Sequence, residues 1–586
     1  MKKYILMFVS SLMLVSCLDT IILPDDKTVD EDFWKTKDNV AAMVNSAYAA
    51  MASNDVIARL IVWGDFRGDE ILQTPGVDVS TTTQALDEIA AVNMQTTNMY
   101  AAWASLYAVI NYCNIVLERA ADVMNQDPSY TQGDYQVDRS QMLALRSLCY
   151  FYLVRNFRDV PYITTAYMDS SQGMQVTQSS PAVVLAHCIA DLEEAAKTAM
   201  AARGYPVSNW RRVGWMTDDA INALLADIYL WRAAVTHSQA DYDQCIAYCD
   251  KVIESKRSQH VPGRDEVTQK AYPLADAENM YGQLFVSQNA EESIFEIQSR
   301  SNQAVCQYYY KYKSANNNSG SGWLQAVPIF YNHATKYDRT TSLSNTSLYT
   351  DTDLRYYAAC YLPKEASNNG LYDIRKMISE NLVSNKTAEN ARGVYNYGGL
   401  NRNYNVYRLT DVMLMKAEAL VEKVDTTLET SEQALLLREP FTLIQEVNRR
   451  ALYKDNQGDS MTWSVFQSLS KDQFEQLVMM ERLREFCFEG RRWYDLMRYN
   501  YRHVSGVDYS RTLAELQDAG ASFVANYSEM LALATRNRGT EANGVMAKMA
   551  NEAYLYMPIP NSDIIVCPLL RQNPVYKNNN EYEKTY

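Results

Sequence analysis

Histidine is scarce in this chain of 586 residues: there are five, and none lies at a spacing that binds a metal. The zinc-protease motif His-Glu-x-x-His is absent, as are the Gly-x-Ser-x-Gly elbow and both glycine-rich nucleotide fingerprints. His187 falls within a helical stretch and is interpreted as a packing or surface residue. With these signatures missing, we expect a protein that is not an enzyme, with no catalytic residues and no cofactor.

Paired cysteine motifs are also missing. The chain has ten cysteines but no Cys-x-x-Cys. Cys245 and Cys249 share a helix face without a neighbouring histidine, so we expect no metal site. Cys113 and Cys149 also fall on apolar helix stripes, where we expect buried free thiols that behave as small hydrophobic side chains.

Basic residues are outnumbered, with 55 Lys and Arg against 70 Asp and Glu, which gives a formal net charge of −15. Residues 1–16 carry Lys2 and Lys3 and no acid, so their removal would take the charge to −17. Such a surface repels nucleic-acid phosphates and anionic lipid headgroups. We therefore expect no nucleic-acid partner.

A long apolar run without charge occurs at the N-terminus. Two lysines precede the run Tyr4–Val15, whose twelve residues fall short of the roughly 20 that a spanning helix needs. This pattern is typical of a signal peptide. The sequence LVSC at 14–17 resembles a bacterial lipobox, in which the cysteine thiol carries the lipid. We predict a signal peptide over residues 1–16 and a membrane tether at Cys17, the alternative being a non-lipidated signal peptide with an incidental cysteine.

Apolar stripes with the helical period recur along the mature chain, and the set at 221, 224, 225 and 228 is the clearest. Three helical hairpins of tetratricopeptide size are predicted, at about 139–157 with 180–198, 217–234 with 241–254, and 408–424 with 432–451. A further helix is predicted after Asp38 as its N-cap. Because one hairpin cannot bury its stripe alone, we expect the hairpins to stack on their neighbours.

Long stretches between the helices, residues 257–345 and 352–407, are rich in Asn, Ser, Gly and Tyr and show few stripes. Residues 292–297 alternate like a strand. Loops of this length in a compact protein usually carry function or disorder. The sequence predicts a mainly α fold in which tetratricopeptide-like helical hairpins frame long irregular loops with a few short strands.

Six segments, in order, resemble those of the SusD/RagB family of outer-membrane nutrient-binding lipoproteins. They are DFWKT at 32–36, LALRSLCYFYLVRNFRDVP at 143–161, ALLADIYL at 223–230, RLTDVMLMKAEAL at 408–420, ERLREFCFEGRRWYDLMR at 481–498 and MPIPNSDIIVCPLLRQNPVY at 557–576. The segment at 481–498 is the most specific, being very close to the family's C-terminal signature. We interpret it as a packing helix with Glu481–Arg484 and Arg482–Glu485 pairs, in which Trp493 and Leu496 are buried.

The resemblance implies a lipid-anchored, cell-surface protein of the outer membrane with a SusD-like fold. Such proteins cap a SusC-like TonB-dependent transporter and hold a glycan, or a peptide in some members, without covalent chemistry. The resemblance divides the chain into a signal peptide, a helical region over 17–270 and a region over 271–586 that includes the ligand loops. Two alternatives stay open: a membrane-anchored helical scaffold for protein partners, and, less favoured, a glycoside hydrolase, whose paired carboxylates would be spatial neighbours.

Sugar binding requires flat aromatic side chains beside polar groups. The candidate ligand-binding residues flank the Asn/Ser/Gly loop at 316–322 and are Tyr308, Tyr309, Tyr310, Tyr312, Trp323, Gln325 and Tyr331. The alternative is that the three consecutive tyrosines form a strand, with Tyr309 facing away from the other two. A second candidate segment is the polar loop Gln73–Gln84, which lacks aromatic residues.

Overall fold

The computed structural model describes most of the chain. The described residues are 33–75, 80–168, 175–206, 208–259, 272–299, 304–309, 323–330, 333–334, 336–339, 347–360, 371–383, 392–395, 401–523, 528–535 and 537–576. The predicted signal peptide and Cys17 lie outside these residues, as do the candidates Tyr310, Tyr312 and Tyr331.

Helices dominate the described residues, as predicted. The α-helices are α1 Lys37–Met51, α2 Asn54–Ile61, α3 Thr81–Ala90, α4 Ala104–Val123, α5 Gln132–Phe157, α6 Pro181–Ala195, α7 Arg211–Gly214, α8 Asp218–Thr236, α9 Gln239–Gln259, α10 Ala304–Tyr309, α11 Arg355–Ala359, α12 Leu409–Glu422, α13 Thr430–Leu436, α14 Arg438–Ala451, α15 Trp463–Phe466, α16 Lys471–Phe486, α17 Arg492–Arg502, α18 Leu513–Asp518, α19 Ser528–Thr535, α20 Ala542–Met549 and α21 Asn561–Val566. The strands are β1 Ile71–Gln73, β2 Ser293–Ile297, β3 Leu324–Ala326, β4 His333–Ala334, β5 Tyr349–Thr350, β6 Ser379–Val383, β7 Arg392–Tyr395 and β8 Tyr404–Arg408.

The three predicted helical hairpins are present and pack on one another. α5 packs against α6, α8 against α9, and α12 against α14, while α9 also contacts α12. The apolar stripe of α8 is fully buried, and the turn to α9 passes through His237 in the left-handed region at φ 54°. The helix predicted over 432–451 is divided into two at Leu437, and α13 buries none of its residues.

The first helix has a different N-cap from the one predicted. Thr36 caps α1, its hydroxyl oxygen accepting a hydrogen bond from the Asn39 N–H at 3.3 Å. The prediction of Asp38 as the cap is therefore wrong, because a threonine two residues earlier supplies the oxygen. Asp38 lies in the first turn, where its negative charge interacts favourably with the helix dipole.

The strands of the described residues form two-stranded pairs. β1 pairs with β3, β2 with β8 and β6 with β7, all antiparallel, and β4 pairs in parallel with β5. β2 confirms the strand predicted at 292–297, but all five of its residues are buried. Its Glu296 accepts hydrogen bonds from the Asn289 N–H at 3.0 Å and from Asn403 Nδ2 at 2.7 Å. The alternation of polar and apolar residues in this strand does not correspond to an exposed face, because α7 and α8 also pack against β2.

One described helical segment, Met99–Val123, which contains α4, has the length and composition of a membrane span. Of its most apolar window, 56% is buried inside the protein. The helix packs against α1 and α5, with Cys113 and Val116 in the core. Since the core helix of a soluble protein passes the same test, we assign α4 to the core. Cys113, Cys149, Cys245 and Cys249 are free and buried, as predicted for the thiols on helix stripes.

The signature segment at 481–498 forms the end of α16 and the start of α17 rather than one helix. In the turn between them Phe488 and Gly490 adopt positive φ angles of 64° and 75°. This turn lies directly against the backbone at Gly64, where an added Cβ would lie 2.8 Å from Gly490 Cα. Two glycines therefore permit the close approach of the turn to the chain that follows α2.

The charged side chains of the signature are buried in an ion-pair cluster. Arg355 Nη1 lies 2.8 Å from Glu481 and 2.9 Å from Glu485, and Arg408 Nη1 lies 2.5 Å from Glu485. Arg450 binds the same carboxylate of Glu485. Burial opposes ionisation of Glu485, but the guanidiniums of Arg450, Arg408 and Arg355 outweigh it and hold its pKa well below the usual value.

The two ion pairs predicted within the signature have different outcomes. The Glu481–Arg484 pair is confirmed at 3.1 Å. The Arg482–Glu485 pair is wrong, because Arg482 binds Asp411 at 3.0 Å and Asp495 at 2.9 Å instead. Partners from other helices compete successfully with the neighbour on the same helix. Trp493 and Leu496 are buried, as predicted.

Candidate ligand-binding site

The two candidate segments named from sequence meet in one pair of strands. In the antiparallel register of β1 and β3, Leu72 lies opposite Gln325 and Gln73 opposite Leu324. The Thr74 N–H donates to the Trp323 carbonyl at 2.8 Å. Because side chains alternate across a strand, Trp323, Gln325 and Leu72 lie on one face of this pair. We call these three residues the Trp323 face.

Trp323 is half-buried, and its ring packs against the ring of Tyr308. Their ring centroids are 4.9 Å apart with an interplanar angle of 71°, the edge-to-face arrangement that aromatic rings favour. Tyr308 is itself 5% exposed, and its hydroxyl lies 2.6 Å from that of Tyr100. Burial raises the pKa of Tyr308, so its hydroxyl is neutral at physiological pH. Tyr308 therefore fixes the indole of Trp323, which keeps an exposed part.

Tyr309 points into the core, on a helix rather than on the strand considered as an alternative. It is 2% exposed, and its hydroxyl hydrogen-bonds to Asp65. The Asp65 carboxylate also accepts the N–H groups of Gly490 at 2.8 Å and Arg491 at 3.0 Å. This arrangement gives Tyr309 a supporting position and leaves it almost no surface for contact with a ligand.

Gln325 is held at the edge of the Trp323 face. Its Nε2 donates to Asp373 Oδ1 at 2.9 Å, and the side chain is 7% exposed. The Asp373 side chain is 26% exposed and also lies 3.3 Å from Arg375 Nη2. Among the described residues, the amide oxygen of Gln325 accepts no hydrogen bond. A partly exposed indole thus lies close to the partly exposed carboxylate of Asp373, which Gln325 holds from the buried side, and an aromatic ring beside a polar group is the combination expected for sugar recognition.

The charged cavity beside α17 cannot hold a sugar ring. Its volume is about 20 Å³, and its lining includes Tyr152, Arg155, Asp227 and Arg491. A single water molecule needs roughly 10–15 Å³, so the cavity has room for water alone. In the part of the chain that the structure describes, no cluster of three His, Cys, Asp or Glu side chains could hold a metal ion.

The sequence matches a known family over most of its length. Residues 253–576 match the profile of the SusD family. The protein belongs to the SusD family. Residues 22–230 match a second SusD-like profile, described as starch-binding and associating with the outer membrane. The family predicted from the six segments is thereby confirmed.

Relatives and solved structures resemble this SusD-family protein along nearly the whole chain. SusD-like proteins P2 and P38 of Formosa agariphila are both 23% identical to it, covering 85% of this chain and 91% and 92% of their own. A SusD homolog from Bacteroides thetaiotaomicron has a TM-score of 0.65 at 17% identity and covers 93% of this chain and 98% of its own. NanU of Bacteroides fragilis has a TM-score of 0.57 at 18% identity, covering 95% and 100%. At these identities the structural likeness establishes the SusD-like fold.

Two residues of this region are not predicted from the sequence: Leu72, which belongs to the Trp323 face, and Asp373, which adjoins it. Leu72 reaches the Trp323 face through the β1–β3 register, and Asp373 through the bridge between Ala326 and Tyr372. Neither residue belongs to a motif, and no local pattern links residues so distant in sequence. The one available signal was the polar loop that begins at Gln73, since it directly follows Leu72.

Proposed function

We propose that this SusD-family protein binds an oligosaccharide on the Trp323 face and delivers it, chemically unchanged, to a SusC-like TonB-dependent transporter. Of the four described candidates, Trp323 alone keeps a substantial exposed part, since Tyr308, Tyr309 and Gln325 are buried. An indole held by a buried tyrosine offers an apolar face to the C–H face of a sugar at little entropic cost. This braced tryptophan is the observation on which the proposal rests.

Binding without catalysis is supported by how the acidic residues near the core are used. The carboxylates of Glu481, Glu485 and Glu489 are fully buried and paired with arginine or lysine. A general acid for glycoside cleavage needs a raised pKa and access to substrate. The carboxylates of α16 meet neither requirement, because the guanidiniums of Arg450, Arg408 and Arg355 hold the pKa of Glu485 low and the adjoining cavity is too small for a sugar.

The binding proposal is tested with a Trp323→Ala variant. Titration calorimetry of the purified lipoprotein against a panel of glycans first identifies a ligand for the wild type. For that ligand we expect the Kd to rise about tenfold or more, as for loss of an aromatic anchor, with the melting temperature nearly unchanged. Trp463→Ala is the matched control, because Trp463 on α15 is also half-buried but packs against Phe441 of α14. An unchanged Kd in Trp323→Ala would refute the proposed site.

The proposed location is the cell surface, with a lipid tether at Cys17. The family's described association with the outer membrane supports this location. Labelled palmitate should enter the wild type but not a Cys17→Ala variant, and protease added to intact cells should digest the protein. A SusC-like transporter should co-purify with the wild type. Protection from the protease would favour instead a scaffold that faces the periplasm.

A further inference from the structure

A second group of aromatic side chains lies at the surface between α6 and α8. Trp210 is 38% exposed, and Tyr205 and Trp215 are half-buried beside it. The ring centroids of Trp210 and Trp215 are 5.8 Å apart at 77°, and those of Tyr205 and Trp215 are 6.3 Å apart at 84°. We call these three residues, with Arg211, the Trp210 cluster.

The cluster is built on a fixed backbone. The neighbouring Arg212 is buried, and its guanidinium donates to Gln259 Oε1 at 2.6 and 3.1 Å, which ties α7 to α9. The ring of Trp210 rests on Gly214, where an added Cβ would lie 2.7 Å from Trp210 Cε3. The side-chain oxygen of Asn209 accepts a hydrogen bond from the backbone N–H of Arg211 at 3.0 Å. The ring of Trp210 and the backbone of Arg211 are therefore held in place before any ligand arrives.

The guanidinium of Arg211 is exposed and stacks on aromatic rings. The guanidinium carbon lies 4.9 Å from the ring centroid of Trp215 and 5.5 Å from that of Trp210. Among the residues that the structure describes, no carboxylate pairs with this exposed arginine. Stacking on aromatic rings orients a guanidinium without using its N–H donors, and those donors match a carboxylate in a bidentate arrangement. On a chain of net charge −15, such an unpaired cation is a local attraction for an anion.

We propose that the Trp210 cluster binds a carboxylate-bearing sugar residue, such as a uronic acid, at a position distinct from the Trp323 face. The C–H face of the sugar would pack on Trp210, and its carboxylate would accept hydrogen bonds from Arg211. This inference rests on the proposed function, since it assumes that the protein binds saccharides. Protein docking is the less favoured use, because three partly buried rings offer far less than the roughly 800 Å² per partner of a stable interface.

The probe is tetragalacturonate, with its methyl-esterified form as the neutral counterpart. We expect the purified lipoprotein to bind the acid form about tenfold more tightly than the ester, with affinity falling as sodium chloride rises. Trp210→Ala and Arg211→Gln should each weaken binding of the acid form about tenfold. Arg203→Gln is the matched control, because Arg203 is an exposed arginine of the same segment outside the cluster and should leave binding unchanged. Arg211→Gln also removes no buried group, so its effect does not depend on a change in folding.

The outcomes separate this inference from the proposed function. If Trp323→Ala weakens binding of a neutral glycan while Trp210→Ala and Arg211→Gln leave tetragalacturonate binding unchanged, the cluster proposal alone fails. If no saccharide binds the wild type, both fail. If the two cluster variants instead lose co-purification with the transporter at unchanged tetragalacturonate affinity, the cluster is a protein contact and the sugar assignment is overturned.

Discussion

Replacing Gly64 with alanine should destabilise the protein far more than one added methyl group suggests. The new Cβ would lie 2.8 Å from Gly490 Cα, and the Gly490 carbonyl would be nearer still. These are backbone atoms, so no side-chain rotation relieves the overlap, and the turn between α16 and α17 would have to move. Overpacking of a tight core typically costs about 1–3 kcal/mol, and a backbone obstacle places this substitution at the upper end, about 3 kcal/mol.

Gly490→Ala tests the same contact from the opposite side. Here the φ of 75° adds a backbone cost of about 1–2 kcal/mol for a residue with a Cβ. The new Cβ would also meet the side chain of Tyr404 and lie 3.3 Å from the Leu60 carbonyl oxygen. We therefore expect Gly490→Ala to lose at least as much stability as Gly64→Ala.

Urea unfolding followed by far-UV circular dichroism measures both effects. Gly544→Ala is the control, because Gly544 lies inside α20 and an added Cβ there has no neighbour within 4 Å. Alanine in a helix interior is favoured over glycine by roughly 0.5–1 kcal/mol, so the control should unfold at a slightly higher urea concentration. Midpoints of the Gly64→Ala and Gly490→Ala variants equal to that of the wild type would refute the close-approach argument.

Two further predictions concern buried charges. Arg355→Met leaves three buried carboxylates without a shared partner and should cost about 3–5 kcal/mol at pH 7 by urea unfolding; a loss below about 1 kcal/mol would contradict it. Burial lowers the pKa of Lys256 to about 8, against 10.5 when unfolded. The unfolded state therefore holds more protons between these values, so the wild type should gain about 3 kcal/mol over Lys256→Met as pH rises from 8 to 10.5, and a flat difference would contradict this.

Most of the fold prediction depends on the helical periodicity of apolar residues. The stripes that place α5, α6, α8, α9 and α12 are local patterns, and burying them requires neighbouring hairpins whatever their order. The ion pairs of the signature segment show what local patterns do not predict. Glu481 and Arg484 pair as spacing predicts, whereas Arg482 pairs with Asp411, 71 residues away in sequence. Helix spacing identifies the available partners on one helix but not the partners that packing brings from elsewhere.

The sequence predicts only part of the candidate site, because local patterns do not show which distant residues packing brings together. Residue type and position together point to Trp323, since a tryptophan beside an irregular loop is a common contact residue. Leu72 joins that site through the pairing of β1 with β3. These strands are far apart in sequence, so no local pattern predicts their pairing. The separate roles of Tyr308 and Tyr309 depend on α10 being a helix, which a six-residue segment without a clear stripe does not disclose.

Those two tyrosines connect the proposed binding surface to the centre of the protein. Adjacent residues of a helix point in different directions, so Tyr308 supports the indole of Trp323 while Tyr309 bonds to Asp65. Asp65 in turn accepts two N–H groups of the turn between α16 and α17, which Gly64 and Gly490 allow to pack closely. A ligand that stacks on Trp323 therefore meets a side chain fixed through this chain of contacts to the signature helices. Less ordering entropy is lost on binding to such a surface, which favours capture by a preformed site over closure of a mobile one.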